Sequence, residues 1–407
     1  MRALIIAALG FTQIAGYGTL YYAFSVLAPE MTEDLSWSRE WVFGALSLAL
    51  ICGGLVAPRA GRLIDRHGGG RVMAAGSLAA ALALVGCAFA PGKTSFVLGL
   101  VAIEMTSSFV QYSAAFALLV QLDHRRAARD ITYLTLIAGF ASTIFWPLTA
   151  WMLTLLSWRE IYLAFALTHL LACLPIHVWL STLPRDDGRA GAVAGAPPLP
   201  SADGALPPQE RKRGFLLVAV GFSLLSFVNG ATLVHMLPML GVLGLGPMAV
   251  LVSTLFGPAQ VASRLVNMVF GAGLSAAGLA VLAAVLQPLG LAVLLASAPW
   301  LPGAITFALL FGFGSGLMSI LQGTLPLHLF GRDGYGERTG RLASVRLIVT
   351  ALAPFIYALL LERFGIAVAL GVTAGLGAGA VVTFLWLALA VSRQRLPAPA
   401  HASAPAG

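Results

Sequence analysis

Twelve times along this chain a stretch of roughly 20 residues passes with almost no polar side chain, which is the length an α-helix needs to cross the hydrocarbon core of a bilayer. The runs cover residues 4–28, 41–60, 72–90, 95–119, 131–155 and 161–180, then 215–237, 247–271, 276–296, 303–327, 342–361 and 366–391. None shows the short alternation of a membrane barrel strand, and in lipid a lone segment satisfies its backbone only as a helix. The pattern therefore predicts an all-α membrane protein of twelve transmembrane helices, here called spans one to twelve. Arg2 followed by a long apolar run has the outline of a secretory signal, but the run is too long for one. Pro29 would also follow any cut after Ala28, so the run is read as a retained first helix.

Polar residues divide the runs into two sets of six. Residues 181–213 carry six prolines, four glycines and the cluster Arg211-Lys212-Arg213, the composition of a flexible connection rather than a packed element. The expected organisation is a first six-helix half over 1–180, a linker over 181–213, a second half over 214–392 and a disordered tail over 393–407. The ends of the spans also differ in charge. If the N-terminus is cytoplasmic, one side holds Arg2, Arg59, Arg62, Arg66, Arg71, Arg125, Arg126, Arg129, Arg185, Arg189, Arg211, Lys212, Arg213, Arg332, Arg338, Arg341, Arg393 and Arg395. The other side holds Arg39, Lys93, Arg159 and Arg363. Basic loops stay in the cytoplasm, so both termini are expected there.

Composition narrows the function. Hydrophobic residues make up 59% of the chain and charged residues only 10%, too apolar for one water-facing core. The net charge of +8 resides in short loops, without the basic face that would suit a nucleic acid, so none is expected as partner. Cys52, Cys87 and Cys173 lie in separate runs without C-x-x-C spacing, and no metal-ligand cluster or cofactor motif occurs; metal and cofactor are both expected to be absent. No phosphate-binding loop occurs that would mark an ATP-driven pump. Gly312-Phe313-Gly314-Ser315-Gly316 lies inside span ten, where close helix packing accounts for it.

The turn between spans two and three reads Gly61-Arg62-Leu63-Ile64-Asp65-Arg66-His67-Gly68-Gly69-Gly70-Arg71. It resembles the signature G-x-L-x-D-R-x-G-[RK]-[RK] of the major facilitator superfamily, with Gly61, Leu63, Asp65, Arg66 and Gly68 matching and Arg71 standing one step beyond the usual basic pair. Gly61 and Gly68 are expected to make tight turns. Asp65 is placed to meet the positive N-terminal end of a neighbouring helix and the adjacent Arg66. The resemblance implies a carrier of two six-helix halves in a bacterial inner membrane, acting by alternating access as a monomer. It also implies that the Asp65 turn latches the halves. The glycine-rich, basic stretch Phe330–Arg341 resembles the corresponding loop of the monocarboxylate-transporter-like bacterial branch.

Ionisable residues at membrane depth are costly and mark function. Glu104 in span four, the only acidic residue at depth, is the candidate for carrying a coupling proton. Arg264 in span eight is the candidate counter-charge for a carboxylate. Gln260, Arg264 and Asn267 at i, i+4 and i+7 share one helix face, and a guanidinium forks onto an oxyanion. In the monocarboxylate-like branch an acidic residue precedes that arginine by four; here the position is Gln260. Arg346 is placed about one turn inside span eleven, which favours anchoring. Tyr17, Tyr21, Gln111 and Asn229 complete the candidate solute site, with Gln13, His235 and Gln322 as further polar groups; His169 and His177 read as packing. The reading is a secondary carrier of a small, monocarboxylate-like anion. An efflux carrier for a neutral toxic compound or metalloid stays open, and a membrane-embedded enzyme is disfavoured because no nucleophile–base arrangement occurs.

Overall fold

The computed structural model describes residues 1–186 and 204–393. Eleven helices among them are long and apolar enough to cross a membrane: Arg2–Asp34, Glu40–His67, Gly69–Ala88, Lys93–Leu122, Ala127–Leu153, Trp158–Ser181, Arg211–Val242, Met248–Phe270, Ala276–Ser297, Leu301–Phe330 and Tyr335–Ser392. The last is two helices in one run, broken at Gly365, where φ of 79° and ψ of 172° suit only glycine. Spans eleven and twelve are thus residues 335–364 and 366–393, and the fold has twelve spans in two six-helix halves. Because consecutive spans reverse direction, Met1 lies on the same face as the turn at Gly68 and the start of span eleven. That face is called the terminal face below.

Several spans are interrupted, and side chains of neighbouring spans meet at the interruptions. Span one loosens into a π-turn over Gly18–Tyr22 and span six into another over His169–Cys173. The two meet through Thr19 Oγ1 and His169 Nε2, 2.8 Å apart. Span four stops at Ser107 and restarts at Tyr112, which the uninterrupted apolar run did not reveal. Gln13 of span one donates to the carbonyl of Val110 in that gap (2.7 Å) and so replaces a helical hydrogen bond. At membrane depth an irregular backbone survives only with such protein partners.

Each half has its own apolar interior, built around Phe24, Met31, Phe96 and Trp158 in the first and around Phe222, Leu321, Phe307 and Phe384 in the second. Many leucines, valines and phenylalanines on the outer faces, such as Leu82, Leu171 and Phe355, are mostly exposed, as contact with lipid requires. Residues 187–203 of the expected linker and 394–407 of the expected tail lie outside the described residues. Residues 204–210 do not hang free: Ala205 and Leu206 donate to the carbonyls of His328 and Leu329 (2.8 and 3.0 Å), and Leu206 is buried. Helix begins at Arg211, so the basic cluster starts span seven.

The halves meet most closely where span two crosses span eleven. A Cβ on Gly61 would lie 2.1 Å from the carbonyl oxygen of Gly336, and one on Gly340 would lie 2.4 Å from that of Ala57. Gly61 is therefore a point of close helix approach inside span two and not a turn; Gly68, with φ of 89°, is the turn. Small residues are what let two backbones approach this closely in lipid. Tyr335 seals the seam by entering the apolar cluster of Leu9, Ile64 and Ile131, its hydroxyl donating to the Gly323 carbonyl at 2.8 Å. Gly61→Ala is expected to cost about 1–3 kcal/mol by overpacking. Gly86→Ala, where a Cβ meets open space, is expected to be neutral or slightly stabilising. Thermal unfolding of the two variants in detergent measures the difference.

Candidate functional site

Two groups of residues stand between the halves: a junction at the terminal face and a polar cluster near mid-depth. At the junction the signature turn acts through Asp65. Its carboxylate accepts the backbone N–H groups of Gly336 (2.9 Å) and Glu337 (2.8 Å), the first turn of span eleven. A carboxylate there takes up helix-end donors that have no other partner and also meets the positive end of the helix dipole. Arg62 reaches Glu337 at 3.4 Å, and Glu337 also holds Arg341 at 2.7 Å. Gln121, at the end of span four, binds the turn from the other side. It accepts from the Gly69 N–H (2.8 Å) and donates to the Ile64 carbonyl (2.9 Å). Arg185 donates to the carbonyl of His67. The expected Asp65–Arg66 pair does not form: Arg66 and Arg71 are exposed and make no hydrogen bond among the described residues.

Arg264 belongs to the same seam. Only 4% exposed, it donates through Nη1 to the Thr135 carbonyl of span five (2.9 Å) and through Nη2 to Ser319 Oγ of span ten (2.9 Å). Its Nε meets the Gly316 carbonyl at 3.4 Å. A Cβ on Gly139 would lie 1.9 Å from Nη1, so a glycine at the bend of span five makes room for the guanidinium. In this conformation Arg264 places three of its five donors on protein groups, and the bond to Thr135 ties the two halves. Its expected companions also have partners or lie apart. Gln260 donates to Ser315 Oγ (2.7 Å), and Asn267 sits in the last turn of span eight against Gly271. Asn229 donates to Gln287 Oε1 of span nine (2.8 Å).

The mid-depth cluster gathers Tyr17, Tyr21, Tyr22, Tyr112, Trp146 and Arg346. Tyr17 and Tyr112 have ring centroids 4.7 Å apart, and Tyr22 lies edge-on to Trp146 at 6.0 Å. The Tyr17 hydroxyl faces the backbone N–H of Tyr112, the first residue after the break in span four, and Gln111 holds the N-cap position of that restart without a side-chain cap bond. Tyr17, Tyr21 and Tyr112 all lie in the field of the Arg346 guanidinium. Arg346 is not one turn deep as expected. Span eleven begins at Tyr335, so Arg346 stands 11 residues in, about 16 Å along the helix and close to the middle of a bilayer. Helix-start signals were present in the sequence, with glycines before Tyr335 and Glu337 in the first turn, four residues ahead of Arg341. Arg346 makes no hydrogen bond or ion pair among the described residues. Arg346 lines a small pocket of about 10 Å³ with Tyr112, Phe116, Phe222, Gln322 and Thr339, room for about one water.

Glu104 ends the first piece of span four. It is 3% exposed; Oε2 accepts only Ser107 Oγ, at 3.4 Å, and Oε1 has no partner. It too stands near mid-depth, 11 residues from Lys93, about 16 Å of helix. Of the residues singled out in the sequence, Tyr17 and Tyr21 lie in the mid-depth cluster, Gln111 next to it and Glu104 in the same span, whereas Tyr112 and the position of Arg346 well inside span eleven were not anticipated.

Comparison with known proteins agrees with this architecture. A sequence profile described as Major Facilitator Superfamily matches residues 9–346. No curated protein matches the chain. Among solved structures, the human organic anion transporter MFSD10 (TETRAN) superposes with a TM-score of 0.66 at 16% identity, over 94% of this chain and 97% of that one. FucP, a transporter of the same superfamily in the outward conformation, gives 0.66 at 13%, over 94% and 98%. The proton:xylose symporter XylE, bound to 6-bromo-6-deoxy-D-glucose, gives 0.72 at 12%, over 95% and 96%. Identities this low speak to the fold alone.

Removing the Asp65 carboxylate deprives two helix-end N–H groups of their acceptor. Asp65→Ala should weaken the closed junction by about 1–2 kcal/mol, which is about tenfold in population. Alkylation of a cysteine placed at the buried Thr339, in a background without Cys52, Cys87 and Cys173, is expected to speed up accordingly, with Asp65→Asn in between.

Proposed function

Since the chain belongs to the major facilitator superfamily and is a secondary transporter rather than an enzyme, we propose that its solute is a small organic anion of the monocarboxylate type, held near mid-membrane by Arg346. One observation carries this reading: a guanidinium near the middle of the bilayer that lines a pocket with Tyr112, itself packed on Tyr17, and has no hydrogen bond or ion pair among the described residues. A charged group there costs about 2.5–3.5 kcal/mol on insertion scales, and an incoming anion supplies the missing partner. The tyrosine rings offer flat apolar walls and hydroxyl donors, which suit a carboxylate on a small carbon skeleton. Tyr112 and Ser113, at the restart of span four, bring the positive end of a half-helix toward the same place.

On this reading the terminal face is cytoplasmic, following the excess of arginine in its loops. The state described is closed on that side, through Asp65, the glycine seam, Tyr335 and Arg264. Release of the solute into the cytoplasm then requires those contacts to part while the opposite ends converge. Arg264 serves as a second clasp, because three of its donors are engaged by Thr135, Gly316 and Ser319 and the first of these belongs to the other half.

The two arginines should respond differently to substitution. Arg346→Gln is expected to weaken the apparent affinity for radiolabelled pyruvate, lactate or benzoate in proteoliposomes by about thirtyfold or more, as loss of a buried charge pair does. Arg264→Gln should change affinity by less than about threefold but alter turnover, since it biases states rather than holding solute. Unchanged affinity in Arg346→Gln would sink the assignment.

A further inference from the structure

Toward the terminal face, spans seven and twelve leave a groove of about 540 Å³ between them. Its walls are largely apolar. Span twelve supplies Leu385, Trp386 and Leu389, which lie on one side of that helix and are exposed, as side chains facing lipid are. Span seven supplies Leu217. Leu206 also lines the groove and packs beside Gly214 in the first turn of span seven. Leu206 is buried and fixed: its N–H donates to the Leu329 carbonyl (3.0 Å), and its own carbonyl accepts Nε of Arg211 (3.1 Å). The groove is therefore part of the packed fold.

Its charged groups come from the start of span seven. Arg213, the third residue of that helix, lies over the Trp386 ring with its guanidinium carbon 4.6 Å from the ring centroid. The ring face holds the guanidinium in place but accepts none of its N–H groups. Arg213 makes no hydrogen bond or ion pair among the described residues. Lys212 beside it is exposed, and Arg211 completes three consecutive cations. Glu210 lines the groove as the one acidic group set against these three. Trp386 stands seven residues before the end of span twelve at Arg393, about 10 Å of helix, the level at which aromatic side chains meet lipid headgroups.

We propose that this groove is a binding site for an acidic phospholipid, with the phosphate on Arg213 and Lys212 and one acyl chain along Leu217, Leu385, Trp386 and Leu389. The occupant follows from charge and polarity together. A soluble anion would meet the cations but leave the apolar walls uncovered. The chain of a zwitterionic lipid would cover the walls, but its headgroup brings a cation of its own toward Lys212 and Arg213. An acidic phospholipid answers both, since a guanidinium forks onto a phosphate and basic side chains at a membrane surface attract acidic headgroups. The site shares no residue with the Arg346 cluster or with the seam between the halves, so it is independent of the solute. Because Leu206 and Arg213 stand where the connection between the halves enters span seven, the lipid braces the start of the second half.

The test uses the whole protein in proteoliposomes and reads the fluorescence of Trp386, taken as the emission that Trp386→Phe removes. Phosphatidylglycerol or phosphatidylcholine with brominated acyl chains is the quencher, each mixed into the same unbrominated phosphatidylcholine. Quenching at matched proportions gives the relative affinity of the two lipids beside this one ring. Wild type should favour phosphatidylglycerol by about tenfold. The double variant Lys212→Gln, Arg213→Gln, altered only at exposed side chains, should bring the two lipids to within about twofold. Equal quenching of wild type by both lipids overturns the proposal, as does a preference that survives the double variant. Relief of the quenching by added glycerol phosphate, the headgroup without chains, would make the groove an anion site only and overturns it too. So does absence of quenching by either lipid together with a disulfide between Leu385→Cys and Ala400→Cys, in a background without Cys52, Cys87 and Cys173, because the chain's own C-terminal segment then fills the groove.

Discussion

Two backbone N–H groups at the start of span eleven and the two oxygens of Asp65 form the contact on which the arrangement of the halves depends. Neither side is satisfied without the other, because the first turn of a helix has donors with no intrahelical acceptor and a carboxylate at a membrane edge needs donors. The bond is available only because Gly61, Gly336 and Gly340 let spans two and eleven approach to backbone contact. Tyr335, packed on Leu9, Ile64 and Ile131, and Arg264, bound to Thr135, add further contacts between the halves. Separating the halves at this face thus means losing a charge-assisted cap, a tight helix crossing and a guanidinium clasp together, which makes the seam a two-state element rather than a gradual hinge.

Behind the seam, polarity is distributed by the lack of water. Side chains answer irregular backbone at depth, as Gln13 does for Val110 and Thr19 does for the carbonyl of Ala15 beside the first π-turn. Against that background two ionisable groups stand out, Arg346 with no hydrogen bond or ion pair among the described residues and Glu104 with one carboxylate oxygen unpartnered. Arg346 and Glu104 lie near mid-depth, one a cation and the other an acid, in sight of the same tyrosine. A structural role would have paired them with each other or with carbonyls, as Arg264 is paired. On the proposed reading the partner that Arg346 lacks is the solute itself.

How much of this was readable in advance can be seen from particular residues. The span count, the division into halves and the signature turn came from local patterns, and Asp65 was recognised as a helix-end acceptor from type and position. Gly61 was misread as a turn because a glycine in a loop motif and a glycine at a helix crossing look alike in one dimension. Arg346 was placed too shallow because apolar content, not helix geometry, marked the start of span eleven, and its first two turns are polar.

The sequence by itself determined that the chain crosses the membrane twelve times, how its ends are charged and which few ionisable residues lie inside, since hydrophobicity and charge belong to residues and their near neighbours. Only the tertiary structure decided which arginine is occupied and which is free. Arg264 is bound by Thr135, 129 positions away, and by residues of span ten. The partner of a buried charge is a property of packing between distant segments, and no local pattern encodes it.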